Sequence, residues 1–296
     1  MARAHADRPL GRRPGSTAIF ELNGKTVLIT GGGGGIGGGI GGGMASAFAE
    51  RGARIVLADI NLAFAQEEAA RLPDETETLL LELDVRSPES WENARRAAET
   101  RFGAIDVLCN NAGISTGFKP LLEITPDAFE RVMAINVTGV YNGIRTFAPQ
   151  MIARQSGHIV NTSSMNGLSP FASFAAYSAS KFAVLGLSDA LREELAPAGV
   201  GVSTLFPGLT RSRMSQGDAA LQDPERYAAI QANMMDPLWL GRAVVRAVED
   251  NSAYIVTHPE YRDSLASRHA RILAAFGESA QPGYRTGASA TGTGSR

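Results

Sequence analysis

The stretch that decides the fold runs from Thr30 to Gly52 and reads TGGGGGIGGGIGGGMASAFAERG. It follows a short apolar, β-branched run and leads into a segment with helical spacing. A strand that turns into a helix through glycines can hold the pyrophosphate of a dinucleotide, because glycine lets the backbone approach phosphate and the first helical amides attract its charge. A flexible glycine linker unrelated to phosphate is the alternative. The strand before the loop and the helix after it favour the phosphate loop.

The composition is that of an ordinary globular chain. The 296 residues are 44% hydrophobic with a net charge of −2, so nucleic acid is not an expected partner. No apolar run reaches the roughly 18 to 20 residues that cross a bilayer, so no membrane association is expected. The single cysteine, Cys109, rules out an internal disulfide and fits a reducing compartment, which favours a cytoplasmic location. The four histidines have no metal-ligand spacing, so no metal site is expected.

Short β-branched runs alternate with longer stretches of helical period, which predicts α/β structure with a parallel sheet. The expected fold is a single Rossmann-type doubly wound sheet with helices on both faces. The predicted strands are 26–30, 54–59, 78–84, 107–110, 158–162, 200–206 and 253–256, and the predicted helices are 44–51, 88–101, 127–154, 175–197 and 238–249. Pro149 is expected to kink or end the long third helix, 127–154.

The chain is predicted to have three parts. Residues 1–21 form a leader expected to be disordered, and residues 22–260 form a dinucleotide-binding catalytic domain. Within it, the polar, methionine-rich segment 209–236 follows a strand end, where open α/β sheets place their ligands, and is a candidate substrate lid. Residues 261–296 are predicted to form an amphipathic helix, with Leu265, Ile272, Leu273 and Phe276 as its apolar contacts, and a disordered tail.

The glycine loop resembles the T-G-x-x-x-G-I-G fingerprint of the short-chain dehydrogenase/reductase family. Counted from the strand, the fingerprint is Gly31, Gly35 and Ile36. Counted back eleven residues from the helix-ending Gly52, as is usual in the family, it centres on Ile40. The four-residue disagreement indicates a duplication of about one helical turn. Because interior helical glycines are costly, we favour a widened loop, an ordered helix from about Ile40, and the Ile40 amide at the pyrophosphate.

The cofactor implied is NAD. Asp59 ends the second strand, where a carboxylate accepts hydrogen bonds from the adenosine ribose and repels a 2′-phosphate, and the loop has no basic residue. By resemblance, Asp84 and Val85 match the adenine-contacting strand end of the family. The sequence at 110–113 likewise matches the family's N-N-A-G motif, which supports the central strand and lines the cofactor, with Asn111, Ala112 and Gly113 as the expected cofactor contacts.

Tyr177 and Lys181 are four residues apart, which places a phenol and an ammonium on one helix face. A proton-transferring phenol needs a nearby positive charge to favour phenolate, and Lys181 with an oxidised nicotinamide would supply it. Thirteen residues before Tyr177, Ser164 matches the family serine that binds the substrate oxygen; its neighbour Ser163 is rejected on alternation. Asn136 matches the family asparagine that helps hold a water chain to the lysine.

The later segments suggest the nicotinamide and substrate contacts. Pro207, Gly208 and Thr210 resemble the family's P-G turn, which carries backbone to the nicotinamide carboxamide. The expected substrate-binding residues are Ser164, Met165, Phe171, Phe174, Leu209 and Met214, a mostly apolar set that favours a bulky or aryl secondary alcohol or its ketone. Residues 248–260 are similar to the C-terminal portion of aryl-alcohol Cα-dehydrogenases.

Two alternatives stay open. A polyol, sugar or 3-oxoacyl reductase would be the same family with another pocket, because membership does not name a substrate. A non-catalytic cofactor-binding regulatory protein would keep the fold and lose turnover. Resemblance to the family also implies a homodimer or homotetramer formed through the two long helices, with a small-molecule substrate.

Overall fold

The computed structural model describes residues 20–33, 39–212 and 233–277. Its centre is one seven-stranded sheet in which every neighbouring pair of strands is parallel. The strands are β1 (Thr26–Thr30), β2 (Arg54–Asp59), β3 (Thr78–Glu82), β4 (Val107–Asn110), β5 (Gly157–Thr162), β6 (Val200–Phe206) and β7 (Tyr254–Val256). Their order across the sheet is β3-β2-β1-β4-β5-β6-β7, the doubly wound arrangement that the sequence predicts.

Within the described residues, seven α-helices lie in the same unit as the sheet, which spans residues up to Pro259. They are α1 (Gly39–Ala49), α2 (Leu62–Ala69), α3 (Pro88–Phe102), α4 (Pro126–Met133), α5 (Gly139–Arg154), α6 (Ala175–Leu195) and α7 (Pro237–Glu249). A π-helical turn, Ala134–Thr138, joins α4 to α5, and short 3₁₀ turns lie at Leu121–Glu123, Met165–Gly167 and Ala196–Ala198.

Both faces of the sheet are covered, which is why β1, β4, β5 and β6 are buried along their whole length. On one face, alternate residues such as Ile29 pack with Phe48 of α1 and Val244 of α7. On the other face, Leu28 packs with Trp91 of α3 and with helices α5 and α6. The two clusters make a three-layer domain with helices on both faces, as expected.

The structure differs from the predicted elements at several helices. The eight-residue α2 was not predicted, since its short apolar pattern is weak; it begins where the Asn61 side chain accepts a hydrogen bond from the Ala63 amide. The predicted helix 127–154 is interrupted by the π turn. Pro149 lies inside α5, which continues to Arg154. Because Pro149 and Arg145 are both exposed, the Arg145 carbonyl that lacks an amide partner can bond to water instead.

The order of strands creates a crevice beside β1. From β1 the sheet continues through β2 in one direction and through β4 in the other, so the connections leave the carboxyl ends of β1 and β4 on opposite sides. Ligands of open α/β sheets bind in such a crevice. Thr30, Asn110 and the residues that follow them form its walls.

The second compact unit begins at Glu260 and contains α8 (Arg262–Ala274). None of the residues of α8 is buried, and the expected apolar contacts Ile272 and Leu273 are 43% and 68% exposed. Phe276 is exposed as well, whereas Leu265 is half-buried, and the apolar contacts expected for this helix stay a prediction. No described helix is both long and apolar enough to cross a bilayer.

Candidate active site

Tyr177 and Lys181 lie one turn apart near the amino end of α6. The Lys181 side chain is 3% exposed, and its Nζ donates a hydrogen bond of 2.8 Å to the carbonyl of Thr162 at the end of β5. The same Nζ is 5.5 Å from the centroid of the Tyr177 ring. Packing of α6 against β5 thus carries a buried amine and a phenol to the carboxyl edge of the sheet.

Ser164 is the second residue after β5 and lies beside Tyr177. Its backbone is extended, and its Oγ accepts a 3.1 Å hydrogen bond from the amide of Asn166. The Oγ also lies 3.5 Å from the carbonyl of Pro207, and a hydrogen bond joins it to Tyr177. The neighbouring Ser163 points away, because its hydroxyl donates to the Lys181 carbonyl at 2.8 Å. Only the second of the two serines can therefore contact the phenol.

Burial controls the protonation of both groups. It raises the pKa of Tyr177 above its usual value, while the hydrogen bond from Ser164 acts in the opposite direction. It lowers the pKa of Lys181 to about 8. Lys181 alone thus does not bring the pKa of Tyr177 below its ordinary value. Of the two cations expected to favour phenolate, the lysine and an oxidised nicotinamide, only the lysine belongs to the chain.

Asn136 is held rigidly in the π turn between α4 and α5. Its Oδ1 accepts from the Ile114 amide at 2.8 Å, and its Nδ2 donates to the Ile114 carbonyl at 2.9 Å and to the Ser180 hydroxyl at 3.0 Å. A Cβ on Gly113 would lie 3.3 Å from this Oδ1 and 3.4 Å from the Lys181 Nζ. Glycine at position 113 therefore leaves space between the asparagine and the lysine.

Ser180 and Thr162 belong to this network but were not singled out from the sequence. Ser180 donates to the Tyr177 carbonyl at 2.7 Å and accepts from Asn136, while Thr162 supplies the carbonyl that holds Lys181. Ser180 directly precedes the lysine, and only that adjacency could have indicated it. Thr162 acts through its backbone, which leaves no signal in residue type.

The glycine loop brings the end of β1 against the start of α1. Gly31 has φ +63°, and a Cβ there would lie 2.9 Å from the Cα of Ala112. A Cβ on Gly41 would lie 2.5 Å from the Gly31 carbonyl, so strand and helix approach this closely only with glycine. The helix begins at Gly39, and Ile40 lies in its first turn, half-buried. Gly35 and Ile36 lie outside the described residues.

Asp59 stands at the end of β2, next to the glycine loop. Its carboxylate is 8% exposed and accepts from the Gly33 amide at 3.0 Å and from the Asn61 amide at 2.9 Å. These two bonds orient the carboxylate at the crevice, where two oxygens still have lone pairs to accept from a ribose. Glycine is needed at position 33, since a Cβ there would lie 2.3 Å from Phe64 of α2.

Two further segments line the crevice. The Asp84 carboxylate is paired with Arg86 at 2.6 Å, which lowers the pKa of Asp84, and Val85 packs beside Gly139. On the β4 side, the Asn111 Nδ2 donates to the Thr30 carbonyl at 3.0 Å. The Thr30 hydroxyl accepts from the amides of Asn111 and Ala112 at 2.9 and 3.0 Å. This clamp fixes the separation of β1 and β4 where the crevice opens.

The turn after β6 lies beside Ser164. The Pro207 carbonyl accepts from the Met165 amide at 3.0 Å. The Thr210 side chain is buried and donates to the Gly208 carbonyl at 3.2 Å, while Leu209 is 48% exposed. Residues 209–211 pair with 235 on the far side of the predicted lid, most of which, including Met214, lies outside the described residues.

Phe174, one of the expected substrate residues, belongs to an aromatic series that leads to the phenol. The rings of Phe118 and Phe174 meet edge to face at 5.4 Å, and those of Phe174 and Tyr177 at 6.3 Å. Phe118 and Phe171 are 75% and 46% exposed, whereas Met165 is buried. The structure therefore places apolar surface immediately outside the Ser164 and Tyr177 pair.

The residues at the crevice suit a dinucleotide. Close contact of Gly31 with Gly41 directs the first amides of α1 to the strand end, which is how such folds bind pyrophosphate, and Asp59 is oriented beside them. Within the described ranges, no group of three or more His, Cys, Asp or Glu side chains could hold a metal ion.

Known proteins agree with this arrangement. The chain is 32% identical over 271 residues to a C alpha-dehydrogenase of Sphingobium sp. (strain NBRC 103272 / SYK-6), which covers 86% of this chain and 87% of that protein. A short-chain dehydrogenase structure from Novosphingobium aromaticivorans matches with a TM-score of 0.77 at 32% identity, over 89% of this chain and 91% of that one. A short-chain dehydrogenase/reductase from Burkholderia phymatum, solved in complex with NAD, matches with a TM-score of 0.76 at 29% identity, over 86% of this chain and 96% of that one.

The family model described as short chain dehydrogenase matches residues 25–223, two thirds of the chain. The matched range includes the glycine loop, Asp59, Ser164, Tyr177 and Lys181. This protein belongs to the short-chain dehydrogenase/reductase family of oxidoreductases.

Proposed function

We propose that this protein transfers a hydride between NAD(H) and a secondary alcohol or its ketone, with a bulky apolar or aryl group on the substrate. The observation that carries the proposal is the Ser164 and Tyr177 pair, which is hydrogen-bonded, backed by Lys181 and approached through aromatic side chains. In this account the chain is an NAD-dependent short-chain alcohol dehydrogenase and carbonyl reductase.

The residues that would hold the cofactor follow the crevice. Asp59 would accept from the adenosine ribose, Asp84 and Val85 would flank the adenine, and the α1 amides at Ile40 would face the pyrophosphate. Segment 111–113 would line the middle of the crevice, Tyr177 and Lys181 would contact the nicotinamide ribose, and the turn at Pro207, Gly208 and Thr210 would meet the carboxamide. When bound, NAD supplies the hydride acceptor for alcohol oxidation.

The chain itself supplies proton transfer. Ser164 would donate a hydrogen bond to the substrate oxygen, and Tyr177 would take its proton in oxidation and return it in reduction. Because burial raises the pKa of Tyr177, the phenol is protonated at neutral pH, which suits the reduction direction. A pKa of about 8 leaves most of Lys181 charged at neutral pH. Asn136 would support a water beside the lysine, in the space that Gly113 leaves.

The aryl preference is supported by the ring series Phe118, Phe174 and Tyr177. Edge-to-face aromatic pairs contribute about 0.5 to 1.5 kcal/mol beyond burial, so a substrate ring beside them would be favoured over a polyol. The Sphingobium relative, which is called a C alpha-dehydrogenase, is consistent with this preference.

The Ile40 register of the glycine loop is supported by the start of α1 at Gly39, two residues before the close approach of Gly41 to Gly31.

We also propose a homodimer or homotetramer formed through α5 and α6. Tyr141 and Ile152 of α5 are 45% and 42% exposed, so α5 offers apolar surface for such contacts. A cytoplasmic location is proposed from the single buried cysteine.

The test is NADH formation with wild-type protein and Tyr177→Phe, using a panel of aryl, aliphatic, polyol and 3-hydroxyacyl alcohols with NAD or NADP. We expect turnover with NAD on aryl secondary alcohols and a loss of at least about 100-fold in kcat in the variant, the usual contribution of a general acid or base. The phenylalanine keeps the ring contact with Phe174, so it isolates the hydroxyl. Preference for polyol or acyl substrates would overturn the aryl assignment. NAD binding without turnover on any substrate would support a regulatory protein instead.

A further inference from the structure

His258 packs directly against the turn that follows β6. It is 6% exposed and comes two residues after the end of β7, which pairs with β6. Its Nδ1 accepts a 2.9 Å hydrogen bond from the Gly208 amide, and its Nε2 lies 3.3 Å from the Leu209 carbonyl. One imidazole thus contacts two consecutive backbone groups of the turn.

These contacts determine the tautomer of the ring. A backbone amide can only donate, so the Nδ1 that meets the Gly208 amide must be unprotonated. The proton of the neutral ring is therefore on Nε2, which faces the Leu209 carbonyl, an acceptor. The Thr257 hydroxyl lies 2.8 Å from the same Nδ1 and is a second donor to it. Of the common side chains, only imidazole presents an acceptor and a donor at this separation in a rigid ring.

The His258 ring leaves no space for a side chain at position 208. Its φ is not in the left-handed range, yet a Cβ there would lie 2.5 Å from the Cγ of His258. The glycine is therefore required by the ring that packs on it. The flanking carbonyls of the turn are held from elsewhere, Pro207 by the Met165 amide and Leu209 by the Met235 amide, both at 3.0 Å. The Gly208 amide is the group that His258 holds.

We propose that His258 is a positioning residue for the nicotinamide end of the cofactor. By holding the Gly208 amide, it sets the direction of the backbone that would meet the carboxamide. This inference rests on the proposed assignment of the turn to the carboxamide.

Two isosteric variants separate the two contacts of the ring. In His258→Asn the side-chain oxygen takes the place of Nδ1 and can still accept from Gly208. In His258→Gln the amide takes the place of Nε2 and that acceptor is lost.

The measurement is calorimetric binding of NAD and of ADP-ribose, which lacks nicotinamide. We expect His258→Gln to weaken NAD binding about tenfold, the usual effect of one lost hydrogen bond, and to leave ADP-ribose binding within about twofold. We expect His258→Asn to lose about threefold or less for NAD.

Equal weakening of NAD and ADP-ribose in both variants would overturn the proposal, because it would indicate a general structural role. Unchanged NAD binding in His258→Gln would overturn it as well, and leave the proposed function intact. Wild-type protein that binds ADP-ribose but shows no added affinity for NAD would overturn the carboxamide assignment, whereas binding of neither would overturn the proposed function too.

A second measurement needs no variant, and so applies even if a variant does not fold. In wild-type protein with ¹⁵N-labelled histidine, we expect a ring protonated only on Nε2 whose Nδ1 signal moves with NAD and not with ADP-ribose. The other buried ring, that of His158 at the amino end of β5, should respond to neither ligand. Histidine signals that respond alike to the two ligands would contradict the proposed position of His258.

Discussion

Replacing Lys181 by methionine tests the buried amine at the centre of the site. Lys181 is 3% exposed, and burial lowers its pKa from 10.5 to about 8. At neutral pH the native chain therefore holds a charge that the unfolded chain carries in water, and the gap between the two pKa values corresponds to about 3 kcal/mol. Methionine removes this cost but also removes the hydrogen bond to the Thr162 carbonyl. The change in the free energy of unfolding at a single pH is therefore the sum of the relieved charge cost and the lost hydrogen bond.

The pH dependence separates them, because the hydrogen-bond contribution is constant while the charge contribution is not. The folded pKa is lower than the unfolded one, so the cost is fully present below about pH 8 and is relieved as pH rises toward 10.5. Between pH 7 and pH 9.5 the wild type should gain about 2 kcal/mol relative to Lys181→Met. The free energy of unfolding of Lys181→Met minus that of the wild type should therefore be about 2 kcal/mol smaller at pH 9.5 than at pH 7.

The assay is urea unfolding of both proteins at the two pH values, with Lys119→Met as a control at an exposed lysine. The control should show no change in its difference from the wild type. A difference between Lys181→Met and wild type that is the same at pH 7 and pH 9.5 would refute the argument, because it would mean that the amine is solvated in the folded chain.

Three other predictions concern the rest of the domain. Burial, together with the charge of Arg192, lowers the pKa of His158 to about 3, so acid should destabilise the fold as pH falls below 6.5, by about 2 kcal/mol at pH 5; urea unfolding of His158→Gln should lack this loss. Gly43→Ala should lower the free energy of unfolding by about 3 kcal/mol, because its Cβ would lie 2.2 Å from the Pro237 carbonyl oxygen, whereas Gly186→Ala, with open space around it, should raise it by about 0.5 kcal/mol. Asp59→Asn should reduce the preference for NAD over NADP at least about tenfold in kcat/KM, since the charge that repels a 2′-phosphate is removed; an unchanged ratio would mean that other groups choose the cofactor.

The sheet and its order could be predicted from the sequence, since buried parallel strands are continuous apolar runs and β-α alternation allows few topologies. The strand bounds differ by only a residue or two, as at β3, which ends at Glu82 instead of Asp84. The π turn at Asn136 could not be predicted, because it depends on the contacts of that side chain with Ile114 and Ser180. A regular helical period contains no information about those partners.

The features of the site that could not be predicted depend on contacts between residues far apart in the chain. His258 is fifty residues from the Gly208 amide, and its sequence neighbours give no reason to pair the two. The glycines within α1 also looked too costly for a helix, yet Gly41 and Gly43 lie where a Cβ would strike the backbone of Gly31 and Pro237. Their cost in helix propensity is offset by the close packing that only glycine permits.

The most direct test of the proposed chemistry follows the hydrogen itself. An aryl secondary alcohol carrying deuterium on the carbinol carbon is incubated with NAD and the wild-type protein, and the cofactor product is analysed by mass spectrometry. The account predicts NADH with one deuterium from the wild type, and at least about 100-fold less from Tyr177→Phe in the same time. NADH without deuterium, or equal labelling by the variant, would contradict the assignment of hydride transfer with Tyr177 as the proton-transfer group.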